Sequence, residues 1–150
     1  LPKARMALVL RLESLVRAPG VQLQDAVSLE HVLPQTPPDS SDWIKWFPDE
    51  DERDGWTHRL ANLVPLDRNK NSSASNYDFA KKKDAYFRGK GTASPFVLTQ
   101  EVRSESEWTP TLLTTRQKRL VNVLSTHWNL EIAADNSLPA AAVTAGGLTS

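Results

Sequence analysis

The chain has 150 residues, with 18 Lys and Arg against 18 Asp and Glu, and no cysteine. That length suits one domain around a single core, and the lack of cysteine excludes disulfides, thiolate zinc sites and thiol nucleophiles. A net charge of zero argues against a free-standing binder of nucleic acid that relies on bulk charge.

The chain opens on Leu1, and a helical pattern is already running by Ala4, which leads to the expectation of a C-terminal piece of a longer protein. Lys3–Arg17 reads as a helix whose broad apolar face carries Met6, Val9, Leu10, Leu12, Leu15 and Val16. Ala18-Pro19-Gly20 ends it, because proline cannot continue the hydrogen-bond ladder and glycine tolerates the reversal. Val27–Leu33 is short and β-favourable and reads as a strand. It contains Leu29-Glu30-His31-Val32-Leu33-Pro34-Gln35, in which a carboxylate and an imidazole stand side by side. Neighbours on a strand point to opposite faces, so a shared task for Glu30 and His31 requires the strand to bend or end there. Pro34 favours such an end.

Pro34, Pro37 and Pro38 open what reads as a long polar loop through Trp43, Trp46 and Trp56, with the tryptophans expected mainly to pack. The acids Asp39, Asp42, Asp49, Glu50, Asp51, Glu52 and Asp54 face only Lys45 and Arg53 there. From Asp67 to Lys90, by contrast, Arg68, Lys70, Lys81, Lys82, Lys83, Arg88 and Lys90 outweigh Asp67, Asp78 and Asp84. An acidic loop beside a basic segment is an asymmetry that net charge hides. Arg59–Leu66 reads as a second strand, opened by Asn62, and Asp67–Ala74 as a polar turn. Ser75, with Asp78 three residues on, reads as the N-cap of a helix carrying Phe79, Lys82, Lys83 and Tyr86, ended by Gly89 and Gly91. Thr109-Pro110 opens the last helix in cap and first-turn order, with Leu113, Leu120, Leu124 and Trp128 on one face. The predicted organisation is one domain over residues 1–132, with a core at about 27–88 and flanking helices at about 3–17 and 110–129. Residues 133–150 form an Ala-, Gly- and Ser-rich tail expected to be poorly ordered. No secretory leader and no run of about 18 apolar residues is present, so the expectation is a cytoplasmic protein with no membrane partner.

Leu29–Gln35, the Asn62-Leu63-Val64-Pro65-Leu66 run, Asn71 and the Phe79…Lys82…Tyr86 helix together resemble the HNH-type, ββα-metal nucleases. The narrower resemblance is to the C-terminal nuclease domain of GmrSD-type modification-dependent restriction proteins. It extends to Trp108, Thr109, Arg116, Leu120 and Trp128 and covers Ser28 to Trp128. Ala61 stands where many relatives carry glycine.

The resemblance implies an α+β fold with an HNH-like ββα-metal core flanked by additional helices. It implies a metal-dependent endonuclease that nicks or cuts DNA in phage defence, some relatives being linked to phosphorothioate-marked DNA as in the SspE-like proteins. An N-terminal nucleotide-hydrolysing, modification-sensing domain would target it.

His31 is then the general base. Glu30 and Asn71 are oxygen ligands suited to magnesium or manganese, and Asn62 ties the loop together and orients His31. Lys82, with Lys81, Lys83, Arg68 and Lys70, is expected to meet the phosphate backbone. Asn69 is the fallback for Asn71. His58 is either an additional ligand, a phosphate contact or a loop histidine beside Trp56, and His127 is expected to be structural. Two other functions compete: a catalytically silent DNA-binding or assembly module, and an RNA nuclease using the same site.

Overall fold

Two five-residue strands, β1 (Val27–His31) and β2 (Leu63–Asp67), pair antiparallel, from Val27 opposite Asp67 to His31 opposite Leu63. The computed structural model describes residues 2–20, 27–68, 76–88 and 94–131. In chain order the elements are helix α1 (Pro2–Val16), β1, helices α2 (Asp42–Trp46) and α3 (Glu50–Thr57), a 3-10 turn (Leu60–Asn62) and β2. Helices α4 (Phe79–Arg88), α5 (Val97–Ser104) and α6 (Pro110–Trp128) follow. A small sheet among helices agrees with the expected α+β class. Among the described residues no helix is long and apolar enough to cross a membrane.

Helix α1 lies where the apolar spacing predicts it, and Gly20, at φ +88°, makes the left-handed reversal behind it. Helix α6 opens as expected: Thr109 caps the Leu112 N–H, Pro110 takes the first position, and Asn129 in the left-handed region closes the far end. Strand β1 stops at His31, two residues earlier than the apolar run suggests.

Four expectations need correction. The stretch through Trp43, Trp46 and Trp56 is not a loop but holds α2 and α3. Asp49 caps α3 by accepting from the Glu52 N–H at 2.7 Å. Glu50, Asp51 and Glu52 then fill the first turn, where the helix dipole favours negative charge. The acid run thus had a local structural use. The second strand starts at Leu63 rather than Arg59, because Leu60–Asn62 wind into a 3-10 turn. The basic helix starts at Phe79, its first turn closing on the Asp78 carbonyl, so Asn76–Asp78 precede it as non-helical chain. The proposed cap Ser75, the glycines 89 and 91, and the tail from Ala133 lie outside the described residues. Finally, α5 was not anticipated; its eight residues are too few for periodicity to stand out.

The core gathers Val9 and Leu12 of α1, Val32 and Leu33 after β1, Val64 and Leu66 of β2, and Leu113 and Leu120 of α6. A ring cluster joins α2 to α4: Trp43 and Trp46 each stand edge-on to Phe79, with centroids 5.6 and 5.7 Å away, and Phe79 leans on Trp108 at 5.8 Å. The Trp43 indole N–H also donates to the Tyr77 carbonyl at 2.9 Å. The tryptophans therefore pack, as expected.

Helix α5 is held at its start by a buried acid from another element. Glu13 of α1 accepts from the N–H groups of Val97 and Leu98 at 2.8 and 3.0 Å, supplying partners that the first helical turn lacks. Glu13→Ala leaves both donors buried without that acceptor. It is expected to lower stability by about 2–3 kcal/mol, and Glu13→Gln by less, read as a shift in the urea unfolding midpoint.

Candidate active site

The pleat turns Glu30 inward, opposite Val64. Its carboxylate meets α4, where Lys82 and Tyr86 stand four residues apart on one face. The Lys82 ammonium donates to Glu30 Oε1 at 2.7 Å, and the Tyr86 hydroxyl donates to the same oxygen at 3.2 Å. Lys82 is only 1% exposed, and it also donates to the His31 carbonyl at 2.7 Å. One ammonium thus fixes the side chain of Glu30 and the backbone of His31. Burial pushes the Glu30 carboxyl up and the Lys82 ammonium down, and their mutual attraction opposes both shifts. Burial, joined by the negative neighbour Glu30, raises the Tyr86 hydroxyl well above its ordinary value.

His31, the last residue of β1, is half-buried. Its Nε2 lies 3.0 Å from Nδ1 of His58, at the end of α3, with the rings edge to face and their centroids 5.0 Å apart. Burial, then His58, Lys82 and Arg5, lowers its pKa to about 4, so the imidazole is neutral at physiological pH.

Asn62 closes the turn between α3 and β2 and is fully buried. Its Oδ1 accepts from the Leu33 N–H at 2.7 Å and the Trp108 indole N–H at 3.0 Å. Its Nδ2 donates to the carbonyls of Leu33 at 3.0 Å and Thr57 at 2.9 Å. All four hydrogen-bonding positions of the amide are used. Towards Leu33 the side chain presents a carbonyl and an N–H as a neighbouring strand would. It thereby extends the pairing that the backbone ends with Val32 N–H to Asn62 O at 3.0 Å.

A cleft of about 330 Å³ opens beside these groups, lined by Leu29, Glu30, His31, Pro34, Gln35, Asn76 and Lys82. Glu30 and His31 share it although the strand pleat points them apart, because β1 ends at His31 and the chain turns away towards Pro34.

The model of the family described as GmrSD restriction endonucleases, C-terminal domain, matches residues 2–123. This chain belongs to that family. Membership of a restriction-endonuclease family implies nuclease activity. No curated protein matches the chain.

Within this GmrSD C-terminal domain, the structure brings Glu30, His31, Lys82 and His58 together around one strand end and puts Asn62 behind them. It places Lys82 inside the domain rather than on its surface. Lys83 donates to the Glu105 carbonyl at 2.7 Å, while Lys81 is exposed over the Tyr77 ring, and Arg68 is exposed beyond β2. Asn69, Lys70 and Asn71 lie outside the described residues. His127 contacts Arg11 on the surface, remote in sequence from the cleft.

Three participants were missed. The sequence presents Tyr86 only as a helix-face and family-motif residue, although its spacing of four from Lys82 is a signal that both reach one partner. Gln35, the last residue of the Leu29–Gln35 motif, and Asn76 line the cleft wall, and their residue types gave neither a role of its own. Among the described residues no three His, Asp or Glu side chains converge on a metal position. Among the residues lining the cleft of the GmrSD domain, the side chains with oxygen donors are Gln35, Asn76 and Glu30, one of whose oxygens is paired with Lys82. Such a hard, sparse set fits a cation that keeps most of its own water and does not fit zinc.

Two outcomes are expected for this GmrSD domain. Lys82→Met leaves the Glu30 charge buried without its partner and is expected to cost about 3–5 kcal/mol in urea unfolding, while the Glu30→Gln/Lys82→Met double variant recovers part of that loss. The second concerns pH. The folded pKa of His31, about 4, lies below the unfolded value of 6.5, so the unfolded chain takes up the proton first. Stability is full above pH 6.5 and falls as pH drops from 6.5 to 4. In chelator, urea midpoints over that window are expected to fall more steeply for the wild type than for His31→Asn.

Proposed function

We propose that this domain is an HNH-like, ββα-metal DNA endonuclease in which His31 is the general base. The observation that carries the reading is a neutral imidazole held beside a buried carboxylate at the wall of an open cleft. Two antiparallel strands followed by α4, which seats Lys82 and Tyr86 on Glu30, support the ββα reading of the core.

Phosphodiester hydrolysis requires a water to lose a proton as it attacks phosphorus. His31, uncharged near neutral pH, takes that proton. The P–O ester bond then breaks, and the departing oxygen is protonated from solvent. Glu30, with the amide oxygens at the cleft and Asn71, would hold a magnesium or manganese ion, which when bound neutralises charge on the phosphate. Lys81 and Arg68, exposed on the same basic segment, would position the backbone without reading sequence. With no net charge to hold DNA alone, the domain would depend on an N-terminal nucleotide-hydrolysing, modification-sensing part, within a cytoplasmic phage-defence protein.

Supercoiled plasmid incubated with the full-length protein in magnesium or manganese is expected to be nicked or cut, and chelator is expected to abolish the reaction. His31→Ala is expected to lower the rate by about 100-fold or more. Equal nicking by His31→Ala would remove His31 from the role of base. An intact plasmid with the wild type, but with DNA still bound, would favour a silent binding module.

A further inference from the structure

An imidazole is a base only at the nitrogen that carries its lone pair, and the other nitrogen's hydrogen bond decides which one that is. Among the described residues the His31 ring has one hydrogen-bond partner, Nδ1 of His58, 3.0 Å from its Nε2. If His58 donated across this contact, the lone pair on Nε2 would be occupied and Nδ1 of the neutral His31 would carry the hydrogen. Neither nitrogen could then take a proton from water. With the donor reversed, His31 Nε2–H points at His58 and Nδ1 keeps its lone pair. A tetrahedral zinc shared by the two nitrogens does not suit the spacing, because two imidazoles on it place their nitrogens more than about 3.2 Å apart.

The two rings do not meet by surface accident. The Asn62 amide binds Leu33, two residues after His31, and the Thr57 carbonyl, immediately before His58. A single buried side chain therefore sets the separation of the segments that carry both imidazoles. Lys82 fixes the His31 carbonyl from the other side.

We propose that His58 is the positioning residue of His31: its Nδ1 accepts the His31 Nε2–H, holding the ring in one tautomer with Nδ1 as the basic atom. The catalytic half of this inference rests on His31 being the base; the contact itself does not. His58 carries its own hydrogen on Nε2, and being exposed it tolerates substitution without loss of the core.

The test uses the full-length protein and three substitutions. His58→Asn sets an amide oxygen near the place of Nδ1, His58→Gln carries it farther out, and His58→Ala removes it. Long-range proton–nitrogen NMR of the His31 ring is expected to report the Nε2–H tautomer in the wild type and in His58→Asn, and a mixture in His58→Ala. In plasmid nicking, His58→Ala and His58→Gln are expected to lower kcat by about 10–100-fold, by analogy with partners that orient metal-ligating histidines, with little change in KM. His58→Asn is expected to recover most of that loss. A wild-type His31 found as the Nδ1–H tautomer overturns the proposal, as does a His58→Ala variant with both tautomer and kcat unchanged. If His31→Ala nicks as fast as the wild type, the base assignment falls and the catalytic half of the proposal with it, whereas the tautomer measurement still decides the contact.

Discussion

The Asn62 carboxamide is the constraint on which the site depends. It is fully buried, uses both donors and both acceptor positions, and joins four separate pieces of chain: Asn62's own turn, the segment after β1, the end of α3 and the Trp108 indole ahead of α6. A buried amide with unmet hydrogen bonds is costly, so the arrangement that satisfies all four is strongly preferred over near alternatives. That preference becomes geometry at His31, because the chain two residues beyond it has little freedom to shift.

A second constraint is electrostatic. Glu30 and Lys82 are both removed from water, and such a pair gains little net stability over apolar residues of the same shape. Its presence is better understood through what it orients. The ammonium binds a carboxylate and the adjacent carbonyl at once, and Tyr86 adds a neutral donor. The result is a carboxylate held by α4 and a strand end held by the same lysine. Burial, together with local positive charge, also keeps the neighbouring imidazole neutral.

These two devices have a common support in the helices around the small sheet. Helices α1 and α5 pack on β2, and α6 packs on the 3-10 turn that carries Asn62. Arg116 of α6 donates to the Ala61 carbonyl at 3.1 Å and pairs with Glu101 of α5. Gln117 accepts from the Ala61 N–H at 2.9 Å. The flanking helices thus hold the turn from outside while Asn62 reaches inward. A two-stranded sheet is marginal by itself, and this packing makes it a fixed platform.

The long helices and the β-run containing Glu30 and His31 were legible because their signals are local: apolar spacing, a Thr-Pro cap, a Pro-Gly stop. The residue types at the site were legible too, since imidazole, carboxylate and amide carry their chemistry wherever they stand. Short elements were harder. Helix α5 depends on Glu13, some 84 positions earlier, for its first hydrogen bonds, and no window of sequence contains both. The acidic stretch of α3 read as solvated loop because its capping role shows only once a helix follows. Sequence by itself determined the family, the long helices and the presence of Glu30, His31, Asn62 and Lys82. Only the tertiary structure decided that Lys82 turns inward to Glu30 and that His58 faces His31, because both contacts join residues 27 or more positions apart. Their distances are set by packing, which no local pattern encodes.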